Sequence, residues 1–275
     1  MYYDNGDLYE QCTKSLSDNI KLAEAQLGPY NSYAFYDLDL SEEEITSLAN
    51  FESNGTALHE LNYHFEANST TSNLIVHLNK FFESVSINNS NTNSISSIVN
   101  KIFTSVNSLK SIDEVALLDL RITGYGIDEK WHTDNLLKDC QHRNIIALVG
   151  PSTLFYNSTA EIKDLRIKIN DFDAIQHDSS PYGTPEGKEQ MERIEKLNSL
   201  INESEIARPA FGQGALFYQG GENPALHAVP HELFNERIVV VIDVCNAQTY
   251  KEMQDKEIEN ERRFYKEHTS FIYPK

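Results

Sequence analysis

Short apolar runs of strand length fill the second half of this 275-residue chain, and they restrict its fold more than any other feature. The runs lie at residues 115–122, 144–149, 153–156, 215–218, 225–229 and 238–244. Turn residues such as Gly150-Pro151 separate them, and no regular helix alternates with them. Strands in this arrangement predict an antiparallel sandwich or barrel rather than a parallel sheet built from βαβ units.

The first 111 residues have a different pattern, which predicts helices. Apolar residues recur at helical spacing over residues 74–85 and again over residues 95–109, which indicates two amphipathic helices. Ser41 is followed three residues later by Glu44, and this capping box predicts the start of another helix.

A polar segment, residues 158–207, interrupts the β region of residues 112–246. An insert of this length inside a β region is usually functional or disordered, so one hypothesis is a lid over a binding site. The charge-rich tail predicts a C-terminal helix within residues 247–275. We therefore expect an α+β chain with a helical N-terminal region (1–111), a β core with its insert, and this C-terminal helix.

The charge and the cysteines exclude several classes of protein. Acidic residues outnumber basic ones 42 to 23, and a net charge of -19 disfavours general binding to nucleic acids or membrane surfaces. Cys12, Cys140 and Cys245 are too few and too scattered for a disulfide framework. The first residues lack the pattern of a secretory signal, and no apolar run approaches the length of a membrane span. These features predict a soluble, cytoplasmic protein of unknown oligomeric state.

The segment Trp131-His132-Thr133-Asp134 is the first candidate site. Residues two apart on an extended strand point to the same side, so His132 and Asp134 project together. An imidazole and a carboxylate in this arrangement are two of the three ligands of a facial triad, the site that binds non-haem Fe(II).

A third ligand and a cation follow on the late strands. His227 and His231 both come after the turn at residues 220–224, and either one offers a third ligand. Arg237 opens the last apolar strand, where a guanidinium requires an anion. That anion is either a bound carboxylate or a neighbouring acid such as Asp243 or Glu236.

This pattern resembles the iron(II)/2-oxoglutarate-dependent dioxygenases. They carry His-x-Asp on an early strand, a lone His on a late strand and an Arg ten residues further on, in a cupin-like double-stranded β-helix, or jelly roll. The resemblance covers residues 112–246, and the same segments also resemble a bacterial family of unknown function. It implies an oxidoreductase of hydroxylase type that uses Fe(II) and 2-oxoglutarate.

Position by position, the resemblance implies that His132, Asp134 and His227 bind the metal. His227 is favoured over His231 because its distance to Arg237 fits the family. Arg237 would then hold the distal carboxylate of 2-oxoglutarate. Many relatives have Ser two residues after this Arg, where this chain has Val239.

Two further side chains are candidates beside the metal ligands. Tyr156 offers a hydroxyl to the same carboxylate of 2-oxoglutarate. Arg143 offers a cation either to that carboxylate or to the substrate. We predict no catalytic residue beyond the metal ligands. The substrate is a small molecule, a peptide or a protein side chain.

Two alternative functions remain open at this stage. A cupin-type metalloprotein without 2-oxoglutarate would keep the three ligands and give Arg237 a structural salt bridge. A non-catalytic jelly-roll binding or effector protein would have lost the metal. Metal content and 2-oxoglutarate binding discriminate among the three.

Overall fold

The protein is described by a computed structural model covering residues 15–51, 59–65, 73–84, 92–123, 131–134, 142–157, 159–175, 184–219, 224–230 and 237–251. The predictions for Cys12, Cys140, His231 and the tail after residue 251 lie outside these residues. The described helices are α1 (Leu16–Glu24), α2 (Glu42–Ala49), α3 (Leu74–Ser84), α4 (Thr92–Asn107), α5 (Ala160–Ile175) and α6 (Pro185–Leu200). The strands are β1 (Tyr33–Asp37), β2 (His59–Phe65), β3 (Glu114–Thr123), β4 (His142–Val149), β5 (Leu154–Tyr156), β6 (Gln213–Tyr218), β7 (Leu226–Ala228) and β8 (Arg237–Asn246).

Six strands form a major antiparallel sheet in the order β1-β6-β4-β8-β3-β2. The most apolar strand, β8, lies inside this sheet between β3 and β4. A strand that is buried on both faces reads as a continuous apolar run, as β8 does.

A minor sheet faces the major one. Its strands β5 and β7 pair antiparallel, with Phe155 opposite His227. Single bridges extend this sheet on both sides, from Phe155 to Ala207 and from His227 to His132. The ring of Phe155 lies 5.3 Å from that of Phe217 in β6, and this contact closes the space between the two sheets. The architecture is an α+β jelly roll, as the sequence predicted.

Helices cover the outer face of the major sheet. Ile238, Val240 and Ile242 alternate along β8 and join the large core formed with α1, α3 and α4. The intervening residues of β8, from Arg237 to Asp243, therefore point to the inner face, toward the minor sheet. The sequence places a cation and a carboxylate at the two ends of this inner face.

The N-terminal region is not purely helical. Its strands β1 and β2 form the two edges of the major sheet, which the sequence analysis did not predict. Both strands are short, and they gain their hydrogen bonds only by pairing with β6 and β3, far away in the chain. Local periodicity does not contain that information.

The insert packs on the outer face of the minor sheet. Its helices α5 and α6 share an apolar core with Tyr156 and Leu226, the outward neighbours of Phe155 and His227. Arg166 of α5 also donates a hydrogen bond from Nη1 to the carbonyl of Trp131, at 3.2 Å. The lid hypothesis is therefore wrong for these two helices, since they support the strands from behind.

Truncating this second core should destabilise the protein. Leu197 in α6 is 1% exposed, so Leu197→Ala is expected to lower the free energy of unfolding by about 2–5 kcal/mol through lost burial and a cavity. Met191 on the same helix is 37% exposed, and Met191→Ala should change it by less than about 0.5 kcal/mol. Chemical denaturation measures the free energy of unfolding of both variants. Equal effects would contradict the packing of α6 described above.

None of the described helices combines the length and the apolar character that a membrane span requires.

Candidate metal centre

The two histidines of the predicted triad are held side by side by backbone pairing. The N–H of His132 donates to the carbonyl of His227 at 2.9 Å, and the N–H of His227 donates back to His132 at 2.9 Å. Residues paired in this way point to the same face of a sheet, and their ring centroids lie 4.2 Å apart. The minor sheet thus sets the spacing of both imidazoles.

Asp134 completes the group two residues after His132. Its Oδ2 lies 3.4 Å from Nε2 of His227, and its Oδ1 lies 3.9 Å from Nε2 of His132. One ligand atom from each of the three residues lies within 4.8 Å of the others. The structure therefore brings together all three predicted metal ligands.

The hydrogen bonding of His227 leaves the correct nitrogen available. Its Nδ1 lies 3.2 Å from the carbonyl oxygen of Ala225, which can only accept, so Nδ1 carries the hydrogen. Nε2 then presents a lone pair toward Asp134. Burial lowers the pKa of His227 to about 4, which keeps the imidazole neutral at pH 7, as a metal ligand requires.

Asp134 is the anionic member of the group. Burial alone would raise the pKa of this carboxyl group, but the electrostatic interaction with His227, Arg143 and His132, acting at the acid pH where a carboxyl group titrates, outweighs burial, and the net shift is downward. Nη1 of Arg143 donates to Oδ2 of Asp134 at 2.6 Å. The carboxylate is therefore ionised at neutral pH.

This donor set fits a divalent first-row metal. Two neutral imidazoles and one carboxylate form the facial triad of non-haem Fe(II) sites, which keeps open positions for other ligands. Ligand atoms about 2.1 Å from one ion lie about 3 Å apart when they are adjacent. The separations of 3.4 Å, to Oδ2 of Asp134, and 3.9 Å, to its Oδ1, both exceed that value, so the side chains must rotate to bring one oxygen and both imidazoles onto one ion.

The centre is closed on one side and open on the other. The side chain of His227 is 5% exposed, and the ring of Phe217 lies 4.9 Å from its ring. The side chain of His132 is 40% exposed. Solvent and ligands therefore reach the triad from the side of His132.

Arg237 is a buried cation on the same inner face of the barrel. It is 6% exposed. Nε donates to the carbonyl of Pro151 and Nη2 donates to the hydroxyl of Thr153, each at 2.9 Å. Gly150 has a φ of 77°, a value that favours glycine. The turn at this residue places the carbonyl of Pro151 directly after the end of β4.

Among the described residues, no carboxylate accepts a hydrogen bond from Arg237. Asp243, the acid that the sequence offered as its partner, instead accepts two hydrogen bonds from Arg143. That alternative is wrong, and Glu236 lies outside the described residues. Burial, together with the like charge of Arg121, lowers the pKa of Arg237 to about 10. A cation in this setting calls for an anionic ligand.

Thr153, which accepts a hydrogen bond from Arg237, lies close to the candidate metal ligand His227. Phe155 pairs with His227, and Thr153 comes two residues before Phe155. Thr153, which directly precedes β5, and His227 are thus diagonal neighbours, roughly 7–8 Å apart. A five-carbon dicarboxylate can bridge a gap of this size.

The other two predicted side chains, Tyr156 and Arg143, bond to neighbouring carboxylates of the protein. Tyr156 faces outward, where its hydroxyl donates to Glu205 at 3.1 Å, and it makes no hydrogen bond to Arg237. Arg143 lies beside the triad but is engaged by two carboxylates. Thr153 was not among the residues predicted from the sequence, although strict alternation from the inward-facing Phe155 places it on the inner face.

No protein-family model and no curated protein matches this sequence. Several solved structures are similar to it. One is TqaL, an Fe(II)/α-ketoglutarate-dependent dioxygenase, at 10% identity, with 84% of this chain and 87% of that chain covered and a TM-score of 0.39. Another is a prolyl 4-hydroxylase from Phytophthora capsici, at 11% identity, 89% and 70% coverage and a TM-score of 0.40. A third is HygX from Streptomyces hygroscopicus with nickel and 2-oxoglutarate bound, at 8% identity, 84% and 87% coverage and a TM-score of 0.39.

Proposed function

We propose that this protein is an Fe(II)- and 2-oxoglutarate-dependent oxygenase. The observation that carries the proposal is the pairing of a two-histidine, one-carboxylate group with a buried arginine that lacks a described carboxylate partner. Either feature alone has a structural explanation. Thr153, which binds Arg237, is a diagonal neighbour of His227, so the two features lie close together. Together they support a ligand that binds a metal at one end and a guanidinium at the other.

In this proposal His132, Asp134 and His227 hold Fe(II), and Arg237 holds the distal carboxylate of 2-oxoglutarate. With both bound, the centre supplies oxidation by O2, in which the keto acid loses CO2 to give succinate and the substrate gains one oxygen atom. Phe155 and Phe217 line the buried side of His227 and exclude water there. The exposed side of His132 is where the substrate, a small molecule or a peptide, would enter.

The hydroxyl of Thr153 takes the place of a missing group. Relatives in the resembled family often have Ser two residues after the arginine, where this chain has the buried Val239. Thr153 supplies a hydroxyl to Arg237 from the opposite sheet instead. It therefore orients the guanidinium and is placed to bond the same carboxylate.

This role of Thr153 is testable. Thr153→Val should weaken 2-oxoglutarate binding about tenfold, since one hydrogen bond to a charged group is lost, while Thr153→Ser should retain it. Tyr156→Phe is the matched comparison, because the sequence analysis proposed that hydroxyl for the same carboxylate. Titration calorimetry with Mn(II)-loaded protein gives the three affinities. A loss confined to Tyr156→Phe would favour the original prediction.

The proposed function itself is tested by anaerobic addition of Fe(II) to apo-protein with and without 2-oxoglutarate. A visible metal-to-ligand charge-transfer band that needs both components is the expected result. Metal binding without a band would favour a cupin-type metalloprotein that does not use 2-oxoglutarate. Failure to bind any divalent metal would contradict both and favour a binding protein.

A further inference from the structure

The guanidinium of Arg143 donates hydrogen bonds to two carboxylates beside the metal centre. Nη1 donates to Oδ2 of Asp134 at 2.6 Å, while Nε and Nη2 donate to the two oxygens of Asp243 at 2.8 and 2.7 Å. The side chain of Arg143 is 19% exposed and that of Asp243 is 11% exposed. Three of its five N–H groups donate to these two carboxylates, which also compensate its charge.

Asp243 also has a second hydrogen-bond partner. Gln219 is 1% exposed, and its Nε2 donates to Oδ1 of Asp243. Because a carboxylate only accepts, this contact determines which end of the amide faces Asp243. A continuous chain of hydrogen bonds therefore runs from Gln219 through Asp243 and Arg143 to Asp134.

We propose that Arg143 is a positioning residue for the metal ligand Asp134, and that Asp243 and Gln219 hold Arg143 in that role. This inference rests on the metal site of the proposed function. It assigns Arg143 to the metal centre, in place of the substrate contact expected from the sequence.

The geometry explains what the chain of contacts does. Arg143 donates to Oδ2 of Asp134 and so fixes the orientation of this carboxylate beside the two imidazoles. Asp243 balances the charge of Arg143, which would otherwise repel a divalent cation beside it. Asp134, Arg143 and Asp243 together carry one negative charge, a balance suited to a divalent ion.

The decisive variant is Asp243→Asn, which keeps the shape of a residue that does not touch the metal. Removing its charge loosens Arg143 and leaves the guanidinium uncompensated, and both effects weaken metal binding. We expect Co(II) affinity to fall about tenfold, since outer contacts of this kind are worth roughly 10- to 100-fold. The visible ligand-field bands of bound Co(II) should also change, because the orientation of Asp134 changes.

Asp119→Asn is the matched control. Asp119 lies on the same inner face of the neighbouring strand, and its carboxylate pairs with Arg121 at 2.5 Å rather than with Arg143. The control should bind Co(II) with unchanged affinity and spectrum. Gln219→Met is nearly isosteric, and it should change the Co(II) affinity and the ligand-field bands in the same direction as Asp243→Asn. It serves as the second test variant if Asp243→Asn does not fold.

The outcomes separate the inference from the function on which it rests. If the wild-type protein binds no Co(II), the metal site of the proposed function fails. If the wild-type protein binds Co(II) and neither Asp243→Asn nor Gln219→Met alters its affinity or spectrum, the metal site stands and the positioning role of Arg143 is overturned. Tighter binding in Arg143→Gln would also overturn it, since that result means that Arg143 competes with the metal.

Discussion

Replacing His227 with alanine is expected to abolish metal binding. His227 supplies a neutral Nε2 that lies 3.4 Å from Asp134, and a backbone carbonyl fixes its tautomer. Loss of an outer contact to a metal ligand costs roughly 10- to 100-fold in affinity, so the loss of a ligand itself should exceed about 100-fold. Calorimetry with Mn(II) and the anaerobic Fe(II)/2-oxoglutarate band both measure this effect.

His142 provides the control for this variant. It is a half-buried histidine on β4 whose ring lies 5.1 Å from that of Tyr218, and it belongs to the outer side of the sheet. His142→Ala should bind Mn(II) as the wild-type protein does. Added metal should raise the melting temperature of His142→Ala and leave that of His227→Ala unchanged, because only a protein that binds the metal is stabilised by it. Unchanged Mn(II) affinity in His227→Ala would rule out the triad as the metal site.

Replacing Arg237 with methionine should separate metal binding from 2-oxoglutarate binding. The variant keeps all three metal ligands, so its Mn(II) affinity should match that of the wild-type protein. Its affinity for 2-oxoglutarate should fall at least about 30-fold, since removing one partner of a buried charge pair costs about 2 kcal/mol or more. Calorimetry on Mn(II)-loaded protein gives both values.

The same variant should not be less stable than the wild-type protein in the absence of ligand. Burial lowers the pKa of Arg237 to about 10, and a lowered pKa in a cationic group means that its charge destabilises the folded state at neutral pH. Methionine removes that charge, so the melting temperature should stay the same or rise. 2-Oxoglutarate should stabilise the loaded wild-type protein but not the variant.

Arg121→Met is the comparison for Arg237→Met. Arg121 lies diagonally across from Arg237 on the same face of the sheet, but its side chain is 48% exposed and pairs with Asp119. Its removal should leave 2-oxoglutarate affinity nearly unchanged. If both arginine variants lost affinity equally, the effect would come from the general charge of the barrel rather than from a contact with Arg237.

Local pattern was sufficient for most of the secondary structure. The capping box predicted at Ser41 and Glu44 is present, with both hydrogen bonds formed. The apolar runs became strands β3 to β8 within a few residues of their predicted bounds. Such elements follow from side-chain periodicity and capping, which act over a few residues and are visible in the sequence.

Spacing along the chain, together with the family resemblance, selected the candidate metal ligands. His132 and Asp134 are two residues apart on an extended segment, so the alternation of a strand already puts them on one side. Their meeting with His227 needed the antiparallel bridge between residues 132 and 227, which no local pattern predicts and which the structure contains. The sequence therefore named the candidate residues, and the tertiary structure brought them together.

Partner choice within the barrel was decided by the tertiary structure alone. Whether Asp243 pairs with Arg143 or Arg237 depends on register, and only the alignment of β4 with β8 places Arg143 opposite Asp243. Whether Thr153 or Tyr156 reaches Arg237 depends on which face of β5 turns inward. A shift of one residue exchanges the two faces of a strand, so contacts that span the barrel are set by the packing of the sheets and not by local pattern.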